Sequence, residues 1–414
     1  MTIKTDILVV GGGLVGASLA LALSETRWKV ALAEARTDGR SATGDAAVGA
    51  MPSGATGDTW DARIYAIAPA SRSFLEGLGV WQRLDAKRVA PIQAMRVRGD
   101  SRSKLEFSAH DSGVAALAWV VESGALMRAL WASMERQPRL DILCPAAPQA
   151  LAVGSDGARL QLADGRGIEA RLVIGADGAR SFVRASAGIA STETPYGQCG
   201  VVANFSCARA HRSVAWQWFR EDGVLAWLPL PGERMSMVWS TPQAHAEELL
   251  SLPDAEFCAR VADAGEHALG ELRLITRPTA FPLVALKSAA IVAPRIALAG
   301  DAAHVVHPLA GQGVNLGFGD AQALCAVLSE ALEARSGDAR DGVVDPGARL
   351  LLRRYERARA EDILSMQWAT HGLARLFGSR APGATLLRNW GLNLVNRLPM
   401  VKNALVSHAV AESH

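Results

Sequence analysis

Cysteine is scarce in this sequence and never paired. The five residues Cys144, Cys199, Cys207, Cys258 and Cys325 are scattered with no CxxC spacing, which argues against a zinc site or a disulfide framework and fits reduced thiols. Excess charge of one sign is missing too. The formal net charge is +2, too balanced for a dedicated nucleic-acid binder, although the basic residues are overwhelmingly Arg. Uninterrupted apolar runs of membrane length are also absent. The stretch from Ile7 to Leu23 is broken by Gly11, Gly12, Gly13 and Gly16, with no basic leader beyond Lys4 and no cleavage site. A buried strand followed by a buried helix is therefore expected there, not a signal peptide or a span. No metal-ligand cluster and no Ser-His-Asp spacing stands out.

What is present is apolar bulk and glycine at fixed intervals. With 414 residues, 50% of them hydrophobic, the chain is long enough for two lobes and a large core. The stretch RIALAGDAAHVVHPLAGQGVNLGFGD, Arg295 to Asp320, organises it. A buried strand, Ile296 to Ala299, runs into Gly300-Asp301. The turn Gly311-Gln312-Gly313 then opens a helix through Leu328, with Val314 and Asn315 in its first turn. Small residues let the backbone approach a bulky ligand, Asp301 can accept from a ribose or ribitol hydroxyl, and free N–H groups at the helix start suit an anion.

Near the start, the strand Asp6 to Val10, the turn Gly11-x-Gly13-x-x-Gly16, a helix through Ser24 and a second strand ending at Glu34 form a dinucleotide fingerprint. Its glycines serve the turn and the pyrophosphate, and its acid serves ribose hydroxyls. Residues 39–58 carry almost no large apolar side chain and read as a loop or insertion. Asp61-Ala62-Arg63 precedes a helix from Pro69 to Leu78. Small strands follow at Leu140 to Cys144, Gln149 to Val153 and Arg159 to Leu162. Leu172 to Arg184 reads LVIGADGARSFVR, a strand ending at Asp177-Gly178 with Ser181 and Arg184 beyond.

From Gln198 to Pro282 the pattern turns to period-two strands, Val201 to Phe205, Val214 to Phe219, Val224 to Pro229 and Met235 to Trp239, predicting an antiparallel sheet. Trp216, Trp218, Trp227 and Trp239 fit either its core or a substrate wall. A helix from Ala244 to Ala262 and a strand from Arg273 to Phe281 lead back to the organising stretch. Helices are expected at Ala348 to Leu364, Met366 to Phe377 and Ala384 to Val406. The last is amphipathic and basic, suited to a membrane surface, a partner protein or its own core.

These motifs closely resemble those of the class A FAD-dependent aromatic hydroxylases, and HPLAGQGVNLGFGDA and QWFREDGVLAWLPLP most resemble the branch acting on ubiquinone precursors. The resemblance spans Asp6 to about Val406, departing where the usual terminal Ala-x-Gly is replaced by Ala409-Val410-Ala411. It implies an α/β fold with a Rossmann-like FAD lobe (1–85, 112–190 and 285–335), an inserted antiparallel substrate sheet (86–111 and 191–284) and C-terminal helices (336–414). Bound FAD, reduced by NADH or NADPH, would then react with O2 through a C4a-hydroperoxyflavin, so that a prenylated phenol is hydroxylated.

FAD would be held by Gly11, Gly13, Gly16, Glu34, Asp177, Gly178, Gly300, Asp301, Gly311, Gln312, Gly313, Val314 and Asn315. Arg36 is either a flavin contact or a surface residue. Arg63 is either a flavin-side cation or a partner of Asp61. Arg128 is a candidate pyrophosphate contact. Pro308 would border the isoalloxazine, and His304 and His307 either tune its protons or are satisfied structural histidines. A cytoplasmic enzyme at the inner-membrane face is expected, meeting the membrane or a pathway complex through the last helix. A hydroxylase of a soluble aromatic and a non-catalytic carrier of a prenylated partner are the alternatives.

Overall fold

The computed structural model describes residues 2–36, 59–99, 104–306, 313–336 and 344–378. Its first sheet is built around the strand Gly167–Gly175, whose last four residues are all buried, as expected of a central parallel strand covered on both faces. Thr2–Val10 pairs with it in parallel from Thr2↔Gly167 to Val10↔Gly175, and Ile296–Leu298 pairs in parallel on its other side. Val30–Ala33 and then Leu140–Leu143 extend the sheet beyond Thr2–Val10. An antiparallel pair, Pro148–Val153 and Ala158–Leu162, branches from Gly167–Gly175. Three parallel strands thus end side by side, each leading into one of the glycine motifs.

The helices are α1 (Leu14–Ser24), α2 (Pro69–Gly77), α3 (Ser123–Met134), α4 (Phe182–Ser186), α5 (Gln243–Ser251), α6 (Asp254–Ala264), α7 (Gly313–Ser336) and α8 (Arg349–Gly378). Leu19 and Leu23 of α1, Trp131 of α3, Phe318 and Leu324 of α7 and Tyr355 of α8 fill one face of the first sheet. Leu8, Val173 and Leu298 face a second cluster with Leu160 and Val183 on the other.

The second sheet has nine strands, with Ser191–Cys207 running between Thr279–Ser288 and Arg234–Pro242. Gly223–Leu230, Val214–Arg220, Ala94–Arg98 and Lys104–Ser108 follow outward. Alternation gives this sheet two unlike faces. Val201, Phe205, Trp216, Trp218, Trp227 and Trp239 pack with Leu249, Phe257 and Val261 from α5 and α6, so all four tryptophans belong to core. The opposite face carries Val202, Asn204, Ser236 and Leu228. Through Ala215, Leu228 and Leu230 it packs on a three-stranded sheet of Ile64–Ile67, Ala118–Glu122 and Ala90–Ile92.

Local chemistry corrects several expected elements. The helix expected from Ala244 to Ala262 breaks into α5 and α6 because Pro253 stands between them, with Leu252 extended at ψ 144°, as the residue before a proline prefers. The strand expected from Arg273 to Phe281 is two, Leu272–Leu274 and Thr279–Ser288, separated by Pro278. The two helices expected from Ala348 to Phe377 are one continuous α8, since no proline or glycine interrupts Leu364-Ser365-Met366. The expected loop at 39–58 and the helix from Ala384 to Val406 lie outside the described residues.

One glycine in the second core is fixed by contact alone. A Cβ on Gly265 would sit 2.0 Å from Cη2 of the fully buried Trp227. We expect Gly265→Ala to lose about 1–3 kcal/mol through overpacking, read as a lower melting temperature; an unchanged melting temperature would show that the indole can move aside.

Candidate functional site

The turn after Thr2–Val10 nests against the turn after Gly167–Gly175. Gly11 has φ +102°, and a Cβ there would stand 2.4 Å from the Ala176 carbonyl oxygen. Gly16 lies over Gly11 so closely that a Cβ would reach its carbonyl oxygen at 2.0 Å. Gly13 and Gly178 face the other way, since a Cβ at either meets nothing within 4 Å. Gly13 caps α1 with no side-chain hydrogen bond, leaving first-turn N–H groups for an anion.

Glu34 ends the second strand almost fully buried, its Oε2 accepting from Gly12 N at 2.6 Å and its Oε1 from Arg36 N and Nε at 2.9 and 3.1 Å. Arg36 therefore pairs with the acid of the fingerprint. Trp131 Nε1 donates to the Gly12 carbonyl at 3.0 Å, fixing the turn from the side of α3. Glycines facing open space, an uncapped helix start and a carboxylate at the neighbouring strand end suit a dinucleotide such as FAD.

The Asp61 to Arg63 segment is held by carboxylates. Asp61 accepts from Arg63 N and Gly124 N at 2.9 and 3.0 Å, and its own N–H donates to Glu122, which Arg88 grips with two nitrogens at 2.6 and 2.8 Å. Burial pushes the Asp61 carboxyl up, against the hydrogen bonds it accepts. Arg63 lies with its guanidinium carbon 5.6 Å from the Tyr65 ring centre. Tyr65, then Asp301 and Asp61, hold its charge more firmly than usual, against burial. The Arg63 segment and the Gly300-Asp301 motif, far apart in sequence, therefore share one electrostatic site. Arg128 is exposed on α3, its head 3.2 Å from where a Gly124 Cβ would stand.

Asp177 turns its carboxylate back on its own loop, accepting from Ser181 Oγ at 2.5 Å and Val183 N at 3.1 Å. Burial pushes this carboxyl up as well. Arg184, itself buried, donates to the carbonyls of Ala179 at 2.6 Å and Ala302 at 2.9 Å. This arginine locks the second motif to the third.

Within the organising stretch, Gly300 takes φ +61°, and a Cβ there would press on Val15 at 3.1 Å. Its N–H donates at 2.8 Å to Asp320 of α7, a fully buried carboxylate. Asp320 also receives His304 Nε2 and Arg359 Nε, each at 2.8 Å. Burial would raise the Asp320 carboxyl, but His304 and Arg359 outweigh it and hold the group below the usual carboxylate value. His304 is thus buried and hydrogen-bonded to Asp320, away from any open surface.

Asn315 bridges α7 to the Arg63 segment, its Oδ1 accepting from Ala68 N and its Nδ2 donating to the Ala66 carbonyl, both at 2.9 Å. Gly313 opens α7 with no neighbour nearer than 4.0 Å to a Cβ, and Val314 is half-buried beside it. His307, Pro308, Gly311 and Gln312 lie outside the described residues. Sequence reasoning missed Asp320, Arg359, Glu122, Arg88 and Trp131 as site supports. A lone acid in the otherwise small and apolar start of α7 was the available signal for Asp320. Among the described residues no group of His, Cys, Asp and Glu could hold a metal. The five cysteines are free thiols, and burial pushes Cys207 up to about 12.

Known proteins are similar to this chain. A family model described as an FAD binding domain matches residues 58–346. Ubiquinone hydroxylase UbiL of Rhodospirillum rubrum is 36% identical over 98% of this chain and 89% of its own length. The 3-demethoxyubiquinol 3-hydroxylase of Escherichia coli is 34% identical over 98% of both. Among solved structures, Pseudomonas aeruginosa PqsL in complex with 2-aminobenzoylacetate has the same fold, with a TM-score of 0.74 at 24% identity over 94% of this chain and 99% of that one. With a glycine fingerprint, two further motif loops locked to it and relatives aligned over nearly its whole length, the chain belongs to the class A FAD-dependent hydroxylases, on the branch of the ubiquinone hydroxylases.

Proposed function

We infer that the protein is an FAD-dependent monooxygenase that hydroxylates the aromatic ring of a polyprenylated phenol in ubiquinone biosynthesis. NADH or NADPH supplies two electrons; one atom of O2 enters the ring and the other leaves as water. The observation that carries this reading is the convergence of Gly11, Asp177 and Gly300 at adjacent strand ends, locked by Arg184 and joined to Arg63, with the second sheet alongside. The substrate class comes from the ubiquinone hydroxylases this chain is similar to.

FAD, when bound, supplies the hydride acceptance and oxygen activation that side chains lack. The residues hold and orient it. Glu34 is assigned to ribose hydroxyls, the start of α1 with Gly13 and Arg128 to the diphosphate, and Asp301 with Arg63 to the flavin end. Pro308 and the 311–313 turn are assigned to the isoalloxazine border. Asn315 acts through the backbone of Ala66 and Ala68 that it holds, and His304 through Asp320, which accepts from Gly300 N. Residues 1–85, 112–190 and 285–335 form the cofactor lobe in this reading, 86–111 and 191–284 the substrate lobe, and 336–414 the closing helices. Among the described residues no helix is long and apolar enough to cross a membrane. A prenylated substrate therefore calls for contact at the cytoplasmic membrane face or within a pathway complex, assigned to the 384–406 segment.

The test is mass spectrometry of quinone precursors in an aerobic strain lacking this gene, alongside NADH and NADPH oxidation by the purified holoenzyme. A prenylated phenol lacking one hydroxyl should accumulate in the strain, and the same compound should stimulate oxidation in vitro and gain one oxygen. Normal ubiquinone with no precursor, together with turnover of a hydroxybenzoate, would replace this substrate with a soluble aromatic.

A further inference from the structure

Two buried polar atoms have no partner on the face of the second sheet that turns toward the Arg63 segment. Asn204 and Ser236 are directly opposed on neighbouring strands and both are 0% exposed. Among the described residues, Asn204 Oδ1 and Ser236 Oγ accept or donate no hydrogen bond, to each other or elsewhere. The other unpartnered atoms are indole nitrogens of Trp28, Trp218, Trp227 and Trp239, which sit in hydrophobic clusters. The Asn204 and Ser236 pair lies outside those clusters, since alternation puts both residues on the opposite face from Ala203, Phe205, Met235 and Met237.

The orientation of the Asn204 amide follows from chemistry. Its Nδ2 donates to the Asp61 carbonyl at 2.9 Å, an oxygen that can only accept, so the amide oxygen is the free end. Its backbone is fully used, with N donating to Thr276 Oγ1 and O accepting from Ile275 N, both at 2.8 Å. Asn204 is therefore pinned on three sides while its one free atom is a pure acceptor. Ser236 Oγ beside it can both donate and accept. Leu228, opposite Ser236 on the next strand, and Val202 frame the pair with apolar surface. Buried polar atoms left unmet are costly enough that proteins retain few without a use.

We propose that Asn204 Oδ1 and Ser236 Oγ form a specificity subsite that takes a ring hydroxyl of the substrate, the hydroxyl donating to Asn204 and accepting from Ser236. A carbonyl or ether oxygen cannot serve, because it has no proton for Asn204. The subsite thus selects a free phenol over its methyl ether. Asp61 connects it to the cofactor side, because the same residue that holds Arg63 N through its carboxylate holds Asn204 through its carbonyl. This inference rests on the aromatic-hydroxylase reading above and adds which atoms recognise the ring.

The experiment titrates the FAD-loaded protein with a short-chain prenylated phenol and its methyl ether, following the flavin absorbance change, for the parent and Ser236→Ala. Removing an unpartnered hydroxyl leaves the fold nothing to lose, so the variant should keep its melting temperature and FAD content. The parent should bind the phenol more tightly than the ether, and Ser236→Ala should weaken the phenol about tenfold. If Ser236→Ala binds the phenol as tightly as the parent does, the pair is met by water and the subsite is overturned. Equal parental affinity for phenol and ether overturns it too, as does a large fall in the variant's melting temperature, which would assign Ser236 a structural role. A parent that binds neither compound but responds to a hydroxybenzoate instead removes the prenylated-phenol reading itself.

Discussion

Replacing Asp320 by Asn should cost about 3 kcal/mol of stability, because it removes the fully buried carboxylate from Arg359 and leaves that guanidinium only the more exposed Asp362 as an acidic partner. Asp320 is fully buried and receives Arg359 Nε, His304 Nε2 and Gly300 N. Burial alone would raise its carboxyl, so the lowered value reflects how strongly His304 and Arg359 favour the charge. In the folded protein this carboxyl ionises below the ordinary aspartate value of 3.8. Its stabilisation is then fully present above about pH 4, near the unfolded value, and is lost as the pH falls through the lower folded value. Urea unfolding followed by tryptophan fluorescence at pH 7 reads the loss directly. An Asp320→Asn midpoint equal to that of the parent would refute the cluster's role, whereas adding Arg359→Met to Asp320→Asn, which keeps an acceptor for Gly300 N, should cost less than the two single losses summed.

Substituting Gly16 by Ala should weaken FAD binding on the order of a hundredfold, about 2.7 kcal/mol, with a smaller effect on the fold. The new methyl would stand 2.0 Å from the Gly11 carbonyl oxygen, a backbone atom that cannot swing aside. Gly11 in turn cannot retreat, since its other side is closed by Ala176. The turn must therefore open toward the space where the diphosphate belongs. Purification without added flavin should yield nearly colourless protein, and titration with FAD should report the weakened affinity. A variant that purifies yellow with one FAD per chain would show that the first glycine turn is not what holds the cofactor.

The sequence made these motif loops legible because their constraints are local. Gly11, Gly13 and Gly16 announce a turn by spacing, and Glu34 stands at the end of the next strand whatever the rest of the chain does. Contacts that lock the loops together are long-range and left little trace. Arg359 is one of many arginines in a charged helix, and nothing in its neighbours points to Asp320 on α7. The tryptophans of the second sheet show a different limit. Period two establishes that Trp216, Trp218, Trp227 and Trp239 lie on faces of a sheet, but only α5 and α6, packed on one side, decide which face is core. His304 is a third case: a histidine in a motif turn is compatible with a proton relay or a structural hydrogen bond, and its buried partner Asp320 lies sixteen residues on, in α7.

The strand order also governs how the protein is made. Thr2–Val10 leaves the ribosome well before its neighbour Gly167–Gly175, which follows more than a hundred residues later, and Ile296–Leu298 comes later still. The second sheet is likewise drawn from both Ala94–Arg98 and Val214–Arg220, which pair in parallel. Neither sheet is drawn from one continuous length of chain, so an early fragment should not close a core or retain flavin. During synthesis the apolar strands at the amino end must wait, shielded by chaperones or by transient collapse. A nascent chain stalled before residue 296 should therefore be sensitive to protease and free of flavin, and resistance should appear abruptly once α7 has emerged to seal the motifs.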